Sequence, residues 1–266
     1  MAHLNNQVIW ITGASSGIGE ALAYALSAKG ARLILSARRK EELERVKGNC
    51  SQKAQPGIRI LPLDLEKPDT LKLSTEAAIQ IFGHVDVLIN NGGISQRSMI
   101  ADTALTVDRR LMEINYFGAV ALTKYLLPHF IQRRQGHVVN VTSLTGKFGT
   151  PYRSGYAASK HALHGFSDAL RAEHYKDNIR VTMVCPGFIR TNLTLTALTA
   201  DGSPLNKMDE AQYKGKSAEW CAAKIVRAIE KNKEEVYIGG REVFGVYLKR
   251  FFPGLFSRVI RKVAVR

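Results

Sequence analysis

Tyr156 precedes Lys160 by four residues, and Ser143 stands thirteen positions upstream of the tyrosine. Side chains four apart on a helix project side by side, so a phenol and an ammonium group can share one pocket. A free tyrosine titrates at about 10, and a fixed positive charge beside it favours the phenolate. Bringing that value near neutrality takes roughly 4 kcal/mol of differential stabilisation, within reach of one buried charge and a second cationic ring. The expected product is a proton donor and acceptor matched to neutral pH. Tyrosine and lysine meet at this spacing in many helices, so the weight of the pattern comes from the segments around it.

Three of those segments point to a dinucleotide. An apolar run, Val8–Ile11, breaks into Thr12-Gly13-Ala14-Ser15-Ser16-Gly17-Ile18-Gly19, and a helical pattern follows through Ala21, Leu22, Ala25 and Leu26. Such a loop lets backbone approach a pyrophosphate and aims a helix N-terminus at it. Gly13 permits the tight turn, Gly17 clears space for phosphate oxygens, and Gly19 lets the helix lie against the sheet; Ser15, Ser16 and Ile18 complete the expected loop contacts. A second strand, Ala31–Ser36, ends in Ala37-Arg38-Arg39-Lys40. Enzymes selective for NAD usually carry a carboxylate here for the ribose hydroxyls. This chain offers cations instead, and Arg38 can grip a 2′-phosphate through paired N–H donors. The residues predict NADP(H). Lys40 is read as the solvated start of a helix over Lys40–Lys47, and Arg39 is open between that role and the phosphate.

With these motifs in register, the chain resembles the short-chain dehydrogenase/reductase family from residue 7 to about residue 240. Asp64-Leu65, after the strand Ile58–Leu63, matches the acidic position that the family sets against the adenine ring. Asn90-Asn91-Gly92-Gly93 stands where the family usually has Asn-Asn-Ala-Gly, which predicts a slightly looser loop at Gly92 and no lost chemistry. Asn115, Ser143, Tyr156 and Lys160 fall in order on the four catalytic positions. Pro186-Gly187, with Ile189 and Thr191, matches the segment that closes around the nicotinamide. The resemblance implies hydride exchange between NADPH and a carbonyl carbon. Tyr156 would move the proton, Ser143 hold the carbonyl oxygen, Lys160 acidify the phenol and bind the nicotinamide ribose, and Asn115 anchor a water for reprotonation.

The rest of the chain agrees with one α/β domain. The 266 residues are 45% apolar, enough for one substantial core. Strand-like runs at Val8–Ile11, Leu33–Leu35, Ile58–Leu63, Val85–Ile89, His137–Val141, Val181–Val184 and Glu235–Ile238 alternate with helical patterns. That order argues for a Rossmann-like, doubly wound parallel sheet with ligands at the carboxyl ends of its strands. Cys50, Cys185 and Cys221 show no metal or disulfide spacing, and His161 and His164 are read as structural or surface residues, so no metal is expected. A reducing compartment, the cytoplasm, is expected, and the early first strand leaves no room for a cleaved signal peptide. No apolar run is long enough to span a bilayer.

Substrate identity is expected in the segment from Phe188 to Lys216, where Leu193, Leu195, Ala197, Leu198, Leu205 and Met208 suit a lid over an apolar pocket. A hydrophobic, lipid-like ketone or alcohol would fit it, and the same leucines would equally suit contact with a second subunit. Lys and Arg exceed Asp and Glu by 38 to 23, and residues 241–266 form a basic extension to the catalytic domain over 1–240. A helix from Leu255 would gather Leu255, Phe256, Val259, Ile260 and Val263 on one side and Arg258, Arg261 and Lys262 on the other. That pattern suits peripheral contact with an anionic membrane, or packing against a partner subunit. The stretch Val246–Phe256 resembles the tail of a membrane-associated branch of the family, that of dehydrogenase/reductase member 7B. The resemblance further implies a homodimer or homotetramer assembled through helices near 107–134 and 152–176. Two other readings are a 3-oxoacyl-carrier-protein reductase receiving its acidic carrier on Arg133, Arg134 and Arg171, and a non-catalytic NADP-binding protein. No nucleic-acid motif is present, and no nucleic-acid partner is expected.

Overall fold

The computed structural model describes residues 4–262. Seven parallel strands form one sheet: β1 (Val8–Thr12), β2 (Arg32–Ser36), β3 (Ile58–Ile60), β4 (Val87–Asn90), β5 (Gly136–Val141), β6 (Ile179–Pro186) and β7 (Glu235–Ile238). Their order across the sheet is β3-β2-β1-β4-β5-β6-β7, so the winding reverses between β1 and β4. The central strands are buried on both faces, which is why they read as unbroken apolar runs. Side chains still alternate. Ile9 and Ile11 enter one core layer, while Val8 and Trp10 enter the other. The ladder of β3 is shorter than the run Ile58–Leu63 suggests, yet Leu61 and Leu63 keep donating to Leu35 and Ala37 at 3.0 Å. That extension carries Asp64 and Leu65 to the edge where β1 and β2 end.

Helices cover both faces: α1 (Gly17–Ser27), α2 (Lys40–Asn49), α3 (Pro68–Phe82), α4 (Leu105–Met112), α5 (Gly118–Arg133), α6 (Ser154–Glu173), α7 (Glu210–Tyr213), α8 (Ala218–Glu230), α9 (Phe244–Phe251) and α10 (Pro253–Ile260). A π-helical stretch over Glu113–Phe117 joins α4 to α5. A buried polar chain fastens α5 and α6 to the sheet. Asn90 Nδ2 donates to Asn140 Oδ1 at 2.8 Å and to Thr123 Oγ1 at 3.2 Å, and Asn140 Nδ2 donates to Ser167 Oγ at 2.8 Å. Hydrogen bonds of this kind hold helices in one register, although the buried Asn90 Oδ1 has no partner among the described residues.

The segment after residue 240, expected as an extension to the catalytic domain, packs on the body. Val246 and Phe256 are buried in a cluster with Leu144, Phe148 and Cys185. Pro253 takes the first turn of α10, so the expected single helix from Leu255 is the second of a bent pair. Phe256 faces inward while Leu255 stays 51% exposed, so the expected apolar side is divided between body and solvent. Val263 lies outside the described residues. Among the described residues, no helix is long and apolar enough to cross a membrane.

Candidate active site

At the carboxyl edge of the sheet, where β1 and β4 part, a cleft of about 740 Å³ opens. Every expected site residue lines it except Gly19 and Asn115, which stand behind it. Gly13 has φ +64°, and a Cβ on it would lie 2.8 Å from Gly92 Cα, so only glycine serves. A Cβ on Gly19 would strike the Gly13 carbonyl, so Gly19 seats α1 against the loop. Thr12 Oγ1 accepts from Asn91 N at 3.1 Å and Gly92 N at 3.0 Å, and Asn91 Nδ2 donates back to Thr12 O at 3.1 Å. The two loops at the reversal point are thereby fastened together. Gly92 is packed, contrary to the looser loop expected from sequence. An alanine Cβ there would meet Leu65 Cδ1 at 2.7 Å, so Leu65 fills the space that the usual alanine would take.

The cleft has the makings of a dinucleotide site. Ser16 caps α1 without using its side chain, which leaves the N-terminal amides of that helix for a pyrophosphate. Arg38 and Arg39 line the cleft and are exposed, and their side chains make no hydrogen bond or ion pair with another described residue. Lys40 lies outside the lining, in keeping with a solvated helix start.

Tyr156 and Lys160 enter the cleft from α6, whose N-terminus is held by a residue far away in sequence. The buried Gln96 Oε1 accepts from Gly155 N at 2.8 Å and Tyr156 N at 3.3 Å. Ser143, at the end of the loop after β5, accepts from Thr145 N at 3.2 Å and donates to Pro186 O at 3.3 Å. Its hydroxyl therefore stands between the tyrosine and the Pro186-Gly187 wall. Lys160 Nζ donates to Val141 O at 3.1 Å and lies 5.8 Å above the centre of the Tyr156 ring.

The electrostatics depart from the expectation that Lys160 acidifies Tyr156. Burial pushes the phenol up, opposed by Arg153, by hydrogen bonding from Ser143 and by Arg97. Burial also pushes Lys160 down to about 8. Both groups are driven toward their neutral forms because both are desolvated. The lysine is aimed at a carbonyl rather than at the phenolic oxygen, so the opposing cationic field comes from two arginines.

Asn115 sits in the π-helical stretch. Its Oδ1 accepts from Ile94 N at 2.8 Å, and its Nδ2 donates to Ile94 O at 3.0 Å and Ser159 Oγ at 3.0 Å. Ser159 in turn donates to Tyr156 O at 2.8 Å. Asn115 thus ties the loop after β4 to the turn of α6 that bears the tyrosine. Gly93 packs between them: a Cβ on it would meet Asn115 Oδ1 at 2.8 Å and Lys160 Nζ at 3.5 Å.

The sequence reading missed Gln96 and a buried ionic group. Arg97 and Arg153 both reach Asp209 Oδ2, at 3.2 and 3.1 Å, leaving two cations on one carboxylate. Burial lowers Arg153 to about 10, with Arg97 adding to the shift. These residues come from three separate segments, and no local pattern marks them. His164 is buried beside Cys185 and Glu235, their ligand atoms all within 4.8 Å, and Lys147 pairs with that carboxylate at 2.6 Å. All three cysteines are free and buried.

A second cavity, of about 550 Å³, adjoins the cleft and shares Ser143 and Gly187 with it. Its apolar wall comes from Phe148, from Phe188 and from α9 and α10. The apolar pocket was expected under the Phe188–Lys216 segment, but Leu193, Leu195 and Leu198 line the larger cleft, and only Phe188 of that segment reaches the apolar cavity. Arg133, Arg134 and Arg171 do not border either space. Arg133 bonds Val85 O and Asp86 at 2.8 Å just ahead of β4, at the opposite edge of the sheet, which disfavours a carrier protein docked there.

A doubly wound parallel sheet with serine, tyrosine and lysine converging at its carboxyl edge defines a dinucleotide-type α/β oxidoreductase architecture. The short chain dehydrogenase family profile matches residues 7–201, and the chain belongs to that family of oxidoreductases. It is 46% identical over 265 residues to dehydrogenase/reductase SDR family member 7B of Bos taurus, covering 97% of this chain and 82% of that protein. It is 44% identical to dehydrogenase/reductase SDR family protein 7-like of Anopheles gambiae, covering 98% and 84%. Among solved structures, a short-chain dehydrogenase from Streptomyces avermitilis superposes with TM-score 0.81 at 30% identity, over 97% of this chain and 98% of that one. A short chain dehydrogenase/reductase from Burkholderia phymatum, solved with NAD, matches in fold with TM-score 0.83 at 21% identity, over 96% of each chain.

Proposed function

We propose that the protein is an NADP(H)-dependent oxidoreductase interconverting a carbonyl and a secondary alcohol on a hydrophobic, lipid-like substrate. The observation that carries this reading is the position of Ser143, the one catalytic side chain that borders both the cleft and the apolar cavity. A carbonyl held there meets the cleft on one side and leaves its carbon skeleton to the apolar cavity on the other. Bound NADP(H) supplies or accepts the hydride. In the reducing direction Ser143 Oγ donates to the carbonyl oxygen and Tyr156 gives its phenolic proton to the oxygen as alkoxide charge develops. The phenolate regains its proton from solvent in the cleft, while Lys160, brought to about 8 by burial, stays largely charged at neutral pH and bonded to Val141 O. Arg153 and Arg97 stabilise the phenolate while it lasts. Oxidation runs these transfers in reverse.

Selectivity for the phosphorylated coenzyme is supported by Arg38 and Arg39, unpaired at the cleft where an NAD enzyme places a carboxylate. Arg38→Glu is expected to raise the KM for NADPH about 10- to 100-fold, the worth of a charge-assisted hydrogen bond, and to leave NADH kinetics little changed. Equal wild-type efficiency with NADH and NADPH would reject the assignment.

The exposed aromatic and basic residues of α9 and α10 support peripheral contact with an anionic membrane. Phe244, Phe251 and Phe252, which also border the mouth of the apolar cavity, are 72, 68 and 63% exposed, beside Lys249, Arg250 and Arg258. Phe117, Tyr125 and Ile131, exposed on or beside α5, support assembly through the α4–α5 and α6 faces into a homodimer or homotetramer.

A further inference from the structure

We propose that Arg45 is a positioning residue for the coenzyme: from α2 it clamps the glycine loop in the form that receives a pyrophosphate. The inference rests on the dinucleotide reading of the cleft and deepens it, naming a side chain that acts on the coenzyme from outside the cleft lining.

Every nitrogen of the Arg45 guanidinium has an oxygen to hold. Nε donates to Glu42 Oε2 at 2.9 Å on its own helix. Nη1 donates to Glu20 Oε1 at 2.7 Å and Nη2 to Glu20 Oε2 at 3.1 Å, a two-pronged grip on the first turn of α1. Tyr24 Oη, also on α1, donates to the same Glu20 Oε1 at 2.6 Å. The fourth contact reaches the loop itself: Nη2 donates to Ser15 O at 3.2 Å. Ion pairs at a side chain 42% exposed are worth little to stability, but paired Arg–carboxylate bonds in a network fix geometry. Arg45 therefore holds a shape more than it holds the fold together.

The bond to Ser15 O sets a direction. A trans peptide puts its carbonyl and the following N–H on opposite sides, so drawing Ser15 O toward α2 turns Ser16 N–H away from α2 and leaves it to the cleft that both serines line. That N–H donates to no described residue. It joins the open amides at the start of α1 as a donor for coenzyme oxygens. The clamp also answers a charge. Glu20 stands in the first turn of α1, where a bare carboxylate would repel a pyrophosphate, and hydrogen bonding from Arg45 holds its carboxyl below the ordinary range, so it stays charged. The guanidinium balances that charge where it stands.

Coenzyme binding to the full chain, read by the fluorescence of NADPH and of NADH, tests the clamp without turnover. Arg45→Met keeps an apolar stem but loses the guanidinium, leaving Ser15 O unheld and Glu20 uncovered. Its Kd should rise about tenfold for both coenzymes, the worth of one charge-assisted hydrogen bond, because the loop receives the pyrophosphate that they share. Arg45→Lys keeps the charge but cannot span Glu42, Glu20 and Ser15 O together, so it should also lose affinity; it serves should the first variant fail to fold. In turnover, the KM for coenzyme should change far more than kcat at saturating coenzyme. Wild-type affinity for NADH in both variants would overturn the clamp, and so would a loss confined to NADPH, which would make Arg45 a ligand of the 2′-phosphate. A drop in melting temperature with both affinities intact would reduce it to a structural ion pair and overturn the proposal as well. Weaker binding of both coenzymes in the variants, with no oxidation of NADPH on any ketone, would instead retain the clamp and defeat the redox reading.

Discussion

Replacing Lys160 with methionine is expected to stabilise the coenzyme-free protein while abolishing turnover. The lysine is buried, and desolvation lowers it from 10.5 to about 8. A depression of about 2.5 units at 1.36 kcal/mol each corresponds to roughly 3 kcal/mol, the cost the native state bears to keep the ammonium charged inside. Below pH 8 the folded and unfolded chains both carry the proton, and the whole cost is present. Between pH 8 and 10.5 the unfolded chain keeps a proton that the folded chain has released, so this group's contribution to stability rises with pH. Methionine removes the cost but strands Val141 O, which accepts from the lysine at 3.1 Å. Subtracting roughly 1 kcal/mol for that lost bond leaves a net gain of about 2 kcal/mol near neutrality. For a chain of this length that is about 4–8 °C in Tm. Thermal melts of both proteins at pH 6.5 and pH 10, without coenzyme, read the effect. Lys160→Met should melt higher at pH 6.5, and its advantage should shrink by pH 10. A variant less stable than wild type at pH 6.5, or an advantage independent of pH, would refute the reasoning.

Three further outcomes follow from the same geometry. Tyr156→Phe removes the proton path and should lower kcat by about 100-fold or more, with NADPH binding by fluorescence nearly unchanged; retention of most turnover contradicts the mechanism. Gln96→Leu strips the acceptor from Gly155 N and Tyr156 N, and should cost about 1–3 kcal/mol in urea unfolding as well as lowering kcat. A stability loss with kcat intact would make Gln96 purely structural. Combining Phe251→Ser with Arg250→Glu, both at exposed positions, should reduce pelleting with anionic liposomes; pelleting equal to wild type at low salt removes the α9–α10 face from any membrane role.

The glycine-loop end of the cleft was legible because its signals are local. A strand of four to six apolar residues, a glycine turn and an amphipathic helix each have a period that neighbouring residues write together, and Gly13, Gly17 and Gly19 sit where chain geometry admits little else. Arg38 and Arg39 were readable for the same reason, as the tip of one strand. Tyr156 and Lys160 were readable as a pair on one helix turn. Their electrostatic relation was not, because burial acts on both and depends on everything that surrounds them.

What only the tertiary structure decided are the contacts between segments far apart in the chain. Gln96 reaches Gly155 across 59 positions, and Asp209 gathers Arg97 across 112 and Arg153 across 56. Nothing in the composition of those segments marks the meeting, since its energy comes from side chains that become neighbours only once the sheet has formed. The tail illustrates the same division. Its amphipathic pattern established that one face seeks an apolar surface, but a period of 3.6 residues says nothing of which surface. The bend at Phe252-Pro253 and the position of Phe148 turned part of that face inward, making a cavity wall out of residues that local sequence left equally suited to a membrane or a subunit.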